Sequence, residues 1–318
     1  MVVKKLFEIE RKPRKGLLAF EWAVMAYLAL TLVVMLLTYT KLHNPESMLL
    51  GRGRVVVSTL ALWGVYRLVP CRLTMFFRVG LQLALLSWWY PDTYEFNRMF
   101  HNLDHVFAGY EQQLFHCQPA LLFSQAVSNG VFSELMHLGY ASYYPLIALV
   151  TLYYFLYRYQ EFGRVAFIIL ASFMIYYVIF VFLPVTGPQY YYLAAGVNEI
   201  AQGHFPNVGD YFATHSESLP IPGWKDGFFY QCVASAHAAG ERPTAAFPSS
   251  HVGVTTILLL LAWHARNRKL IYTILPFYVL MCMATVYIQA HYAVDVIGGW
   301  ISAVLIYTVL LFLSKKFV

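Results

Sequence analysis

The sequence predicts an all-α integral membrane protein with about eight transmembrane helices, and three observations carry that. The 318 residues are 59% hydrophobic and only 12% charged, about half of the roughly 25% charge of a soluble domain. The apolar residues fall into eight runs, each near the roughly 20 residues that a bilayer requires. The charges collect between those runs and form no basic stripe. The net charge of +6 therefore reads as topology, with no nucleic-acid partner implied.

A basic stretch ending at Lys15 precedes the first run, 17–39. That run is too long for a signal peptide and no small-residue cleavage site follows, so an uncleaved anchor is expected. Runs 53–69 and 73–90 carry little polar content and complete an accessory set of helices, residues 1–90. The remaining spans are expected at 131–157, 165–184, 250–265, 270–288 and 292–314. With the N-terminus inside, fifteen Lys and Arg residues fall on the inner side. Six fall outside, at Lys41, Arg52, Arg54, Arg98, Lys225 and Arg242, and Arg78 lies within a span. The positive-inside rule then puts both termini in the cytoplasm. The segments that open the sixth and eighth runs face the periplasm or a lumen.

Between the third and fourth runs, residues 91–130 alternate apolar and polar positions at helical spacing. They read as helices lying in the interface. Taken alone, they are a plain amphipathic cap with no chemistry. Glu134, His137 and Tyr140 follow at i, i+3 steps and share one helix face. Either a contact to a head group or a structural hydrogen-bonded cluster accounts for them.

The chemistry-bearing stretch is 247–299. Pro248-Ser249-Ser250-His251 opens the sixth run, and His291 and Asp295, spaced i, i+4, open the eighth. One hairpin of spans returns the chain to the side it left, so the two histidines can meet at one membrane surface. An Asp one turn below a His can accept its ring N–H and fix its tautomer. Ser249 suits the N-cap of the sixth run, where free amides and the helix dipole favour an anion. Its hydroxyl is also within reach of a phosphate oxygen bound there.

PSSH paired with HYAVD resembles the second and third motifs of the type-two phosphatidate phosphatase superfamily. Its phosphatases read P-S-G-H and H-x-x-x-D. The phrase FLPVTGPQYYY, with Gln189 and Tyr190, looks like the first motif of the inositol phosphorylceramide synthase-like branch. LDHVFAGYEQQLFHCQP is similar to that branch's segment before the core, which implies a lid or lateral platform for the lipid. The likeness runs from about Asp104 to Trp300. It implies a six-helix core bundle with interfacial helices, and a lipid phosphatase- or phosphotransferase-like catalytic domain over 91–318. It further implies that His291 attacks phosphorus, that Asp295 orients it, and that His251 protonates the leaving alcohol and then activates the acceptor. The substrate would be a membrane phospholipid or sphingolipid, with no metal and no cofactor.

The cations of the family's phosphate site are missing. Phe182, Gln189 and Thr285 stand at the positions of its Lys, Arg and Arg, and Gln289 at that of the branch-type Arg. Gln can hydrogen bond a phosphate but not neutralise it. Arg242 and Lys225 in the long outer loop are the candidates to supply charge; a less charged phosphodiester and weak catalysis are the other two resolutions. Candidate phosphate or substrate contacts are therefore Ser249, Ser250, Gln189, Tyr190, Arg242 and Gln289. The scattered His and acidic residues of residues 193–246 fit no metal-ligand spacing. Cys117 and Cys232 both fall outside, where a disulfide is allowed but not fixed by the sequence. The competing functions are a lipid-binding relative that has lost catalysis and a lipid transporter. The oligomeric state stays open.

Overall fold

The computed structural model describes residues 6–244 and 246–317; Lys4 and Lys5 of the basic tally, and Val318, lie outside them. It is all-helical, with no strand among the described residues. A helix stands at each of the eight apolar runs: α1 (Ala19–Leu37), α2 (Pro45–Leu68), α3 (Arg72–Asn97), the pair α6 (Gly130–Ala141) and α7 (Tyr143–Tyr157), α8 (Tyr159–Phe182), α12 (Ser250–His264), α13 (Arg268–Tyr287) and α14 (Ala293–Phe317). The interfacial segment forms α4 (Asp104–Phe115) and α5 (Pro119–Ala126). The outer loop contributes α9 (Pro188–Ala195), α10 (Val197–Ala201) and α11 (Phe228–Gly240).

Five of these, α1, α2, α8, α13 and α14, are long and apolar enough to cross a membrane. The α6–α7 pair, bent by 47°, makes a sixth. Pro145 in the first turn of α7 explains the break, since its ring cannot donate to the carbonyl of Ala141. The 15-residue α12 and the charged α3 do not meet that measure alone. They are instead held from the side by neighbouring helices.

Helix α8 is the axis of the bundle. It is apolar on nearly every face, and α1, α3, α7, α12 and α14 all pack on it. Two charges of α3, Arg78 and Asp92, are buried in pairs. Arg78 meets both carboxylate oxygens of Glu21 on α1, and Glu21 also caps that helix by accepting the Leu18 amide at 2.7 Å. Arg52 grips Asp92 on α3 with two hydrogen bonds, at 3.0 and 2.8 Å. Arg52 was expected in an outer loop; α2 begins at Pro45, earlier than the run at 53, so it is 2% exposed on a helix face. Intramembrane charges are tolerated where they pair in this way.

The two ends of the described chain come together. Leu17 and Phe20 at the start of α1 share one cavity wall with Leu313 near the end of α14. At the opposite end of the bundle, α12 and α14 start side by side. Gly298 and Gly299 allow this approach: a Cβ there would stand 2.6 Å from Phe247 and 2.8 Å from the Ser249 carbonyl. Close packing of this kind is what small residues provide between membrane helices.

Candidate functional site

Four separated segments are laced together at that end of the bundle. Gly187 adopts φ +94°, and a Cβ on it would lie 2.6 Å from the Ala290 carbonyl, so only glycine fits the turn before α9. The amide of Gln189 donates to the Gln289 carbonyl at 2.9 Å, and that of Ala246 to Val185 at 2.9 Å. The Ser249 amide reaches the Asp295 carbonyl at 3.1 Å. Ser249 caps α12, its Oγ accepting the Val252 amide at 3.3 Å.

Asp104, at the start of α4, is the knot that ties these segments. Its carboxylate accepts the amides of Thr186 (2.6 Å) and Gly187 (2.8 Å), the Thr186 hydroxyl (2.9 Å), the Asn102 amide group (2.6 Å) and the Tyr292 hydroxyl (3.0 Å). Burial pushes its pKa up to about 6 against those donors. Seven residues on, Glu111 accepts the Val294 amide at 3.2 Å. Burial lifts Glu111 to about 8, and the adjacent Asp295 adds to the rise. The spacing of seven, which puts both acids on one face of α4, was the available signal for them in the sequence.

His291 and His251 meet as their spacing suggested. Nε2 of His291 lies 3.5 Å from Nδ1 of His251. Nδ1 of His291 bonds to the Ala246 carbonyl at 2.8 Å, with Asp295 Oδ2 farther off at 3.5 Å. A carbonyl only accepts, so Nδ1 carries the proton, and in the neutral ring Nε2 presents its lone pair. Asp295 Oδ2 accepts the Tyr292 amide at 2.8 Å and so braces the turn that carries His291. His251 is held by aromatic rings, stacked on Tyr140 at 4.6 Å and tilted against Tyr143 at 4.4 Å.

Both histidines line a cavity of about 390 Å³. Ser250, Gln189 and Tyr190 line it too. Gln189 already donates its side-chain amide to the Leu219 carbonyl at 2.7 Å. Ser249 is buried beneath the wall in its capping role, and Gln289, at φ +63°, supports the site through its backbone and does not line the cavity. Arg242 is exposed, outside the cavity, and donates to the carbonyl of its neighbour Glu241 at 2.9 Å. Lys225 is not at the cavity either. Thr285 is buried, its hydroxyl donating to Cys282, and Phe182 is half exposed. No Lys or Arg lines the cavity among the described residues.

The face of α6 divides. Tyr140 reaches His251, whereas Glu134 accepts the amides of Phe229 and Tyr230 at 2.9 and 3.0 Å, capping α11. His137 is buried against Tyr230 and Tyr287. Cys117 and Cys232 are free thiols: the first follows α4, whose partner is α14, and the second sits on α11, whose partner is α6. Among the described residues, no group of three or more His, Cys, Asp or Glu is placed to hold a metal ion.

No curated protein and no solved structure matches the chain. A family model described as the PAP2 superfamily matches residues 105–309, the span that holds both histidines, Asp295, Gln189 and the helices that carry them. The chain therefore belongs to the PAP2 superfamily, which supports an activity of the phosphatase or phosphotransferase type.

Proposed function

We propose that this protein cleaves or transfers the phosphoryl-linked head group of a membrane lipid through a phosphohistidine on His291. The observation that carries this reading is the meeting of the two histidines, with Nε2 of His291 3.5 Å from Nδ1 of His251 at a cavity wall. In the first step Nε2 attacks phosphorus, the N–P bond forms and the P–O bond to the leaving alcohol breaks. His251 gives that oxygen its proton. In the second step His251 takes a proton from the acceptor, water or a lipid hydroxyl, whose oxygen displaces His291 from phosphorus. Buried behind the ring, the Ala246 carbonyl and Asp295 hold the Nδ1 proton throughout.

Lipid access is supported by the cavity walls. Exposed Ser87 on α3 and exposed Tyr144 on α7 border it on the flank of the bundle, where acyl chains would lie. That no Lys or Arg lines the cavity among the described residues favours a singly charged phosphodiester over a phosphate monoester, and thus the transferase-like branch. The basic residues Arg11, Lys12, Arg14 and Arg72 gather around one cavity at the far end of the bundle. They favour cytoplasmic termini and an extracytoplasmic site. Reporters fused after Val318 and near Asn198 should then report opposite sides of the membrane; a common side refutes that orientation.

The test is trapping. A phospholipid labelled at phosphorus should leave acid-labile, base-stable label on His251→Ala, because release needs a base that the variant lacks. The label should be absent when His291→Ala is added. Label that persists without His291, or full turnover by His291→Ala, overturns the reading.

A further inference from the structure

The cavity carries an acid where a phosphate site would be expected to carry a base. Glu241, just past the end of α11, is the sole carboxylate lining it among the described residues, and no lining Lys or Arg offsets it. One oxygen of Glu241 accepts the Tyr90 hydroxyl at 2.8 Å. A carboxylate has about four acceptor directions, so most of its capacity stays open. Around it the wall is aromatic. Tyr90, Tyr140, Tyr144 and Tyr190 line the same space. The ring of Tyr190 is braced by stacking on His237 at 6.2 Å, and that of Tyr140 on His251 at 4.6 Å.

An anionic phosphate placed beside a fixed carboxylate in a half-buried cavity is repelled unless positive charge comes with it. Among the described residues, no Lys or Arg lines the cavity to supply it. A substrate whose head group carries its own cation removes the conflict: the phosphodiester goes to the histidines and the ammonium goes to Glu241. Tyrosine faces attract such a cation through their ring quadrupoles, and several around one space are the recognised arrangement for ammonium groups. A neutral polyol head group would leave Glu241 uncompensated. A cavity of about 390 Å³ is in the usual range of about 300–1,000 Å³ for a small ligand.

We infer that this cavity selects a zwitterionic head group, a phosphodiester whose alcohol bears an ammonium or quaternary ammonium, with Glu241 and the surrounding tyrosines as the cation subsite. The inference takes the position of the phosphate from the phosphotransfer reading above.

Binding separates the two. Calorimetry on the full chain in detergent would compare glycerophosphocholine and glycerophosphoethanolamine with glycerophosphoinositol and glycerol 3-phosphate. The cationic probes should bind at least about 10-fold more tightly. Glu241→Gln keeps an acceptor for Tyr90 while removing the charge, and should bring the four affinities together. Glu241→Asp should retain part of the preference. Equal or tighter binding of glycerophosphoinositol or glycerol 3-phosphate by the unmodified protein overturns the inference, as does an undiminished preference in Glu241→Gln. Selective binding in a protein that never acquires label on His291 keeps the cation subsite and rejects only the phosphotransfer step.

Discussion

His291 donates a hydrogen bond from Nδ1–H to the Ala246 carbonyl at 2.8 Å, and Asp295 stands behind at 3.5 Å. In the motif alone, Asp295 is the only group at hand to orient the imidazole. The fold supplies a nearer acceptor from 45 residues away. The tautomer is then fixed by the backbone of the segment leading into α12, and the carboxylate acts on the charge of the ring and on the turn at Tyr292.

This division gives Asp295→Asn a moderate penalty. The amide keeps an oxygen for the Tyr292 amide, and the carbonyl of Ala246 keeps the tautomer. We expect kcat for head-group release to fall by about 10²-fold, with KM changed less than about 3-fold. A fall of about 10⁴-fold, the cost where an aspartate alone sets the tautomer, would show that Ala246 does not hold the ring during turnover.

Arg242 was the sequence's best replacement for the missing arginines, being nine residues before His251. Its guanidinium is instead exposed, does not line the cavity and is engaged with the Glu241 carbonyl. Arg242→Ala should therefore leave turnover within about 3-fold of the unmodified protein, where loss of a cation on the transferring phosphoryl group costs about 10³-fold or more. Steady-state rates on one labelled phospholipid decide between them.

The helices and the meeting of His251 with His291 were legible in the sequence because both follow from local rules. Apolar runs of bilayer length place the spans, and motifs at the starts of the sixth and eighth spans land on one side of the membrane. Asp104 and Glu111 were not legible as site-forming groups. Their partners, Thr186, Gly187, Tyr292 and Val294, lie 82 to 188 residues away, and each acid looks like an ordinary polar residue of an amphipathic helix. Glu241 was hidden for a similar reason. It stands among scattered charges of a long loop, and only the return of α11 against α6 brings it beside Tyr90 and Tyr140.

Glu111 also gives the site a pH dependence. It is fully buried on α4, with Oε2 on the Val294 amide and Oε1 without a partner; Oδ1 of Asp295 is likewise buried without one. Burial first, and the neighbouring Asp295 second, raise its pKa from 4.5 to about 8, against the pull of the Val294 amide. A carboxyl whose pKa is raised on folding binds its proton more tightly when folded. The stability linked to it is complete below about pH 4.5 and is lost as pH rises through about 8. At neutral pH Glu111 is therefore protonated, and above about 8 it places a second buried charge beside Asp295. The melting temperature in detergent should fall between about pH 5 and 8 and level off above that, and the fall should be smaller by a few degrees, about 2–4 °C per kcal/mol, in Glu111→Gln. That variant keeps an acceptor for Val294 and cannot ionise, so it should be the more stable protein at pH 9. Head-group release should keep its alkaline limb at higher pH in the same variant. Melting curves that shift in parallel for the two proteins across this range would show that Glu111 does not titrate there.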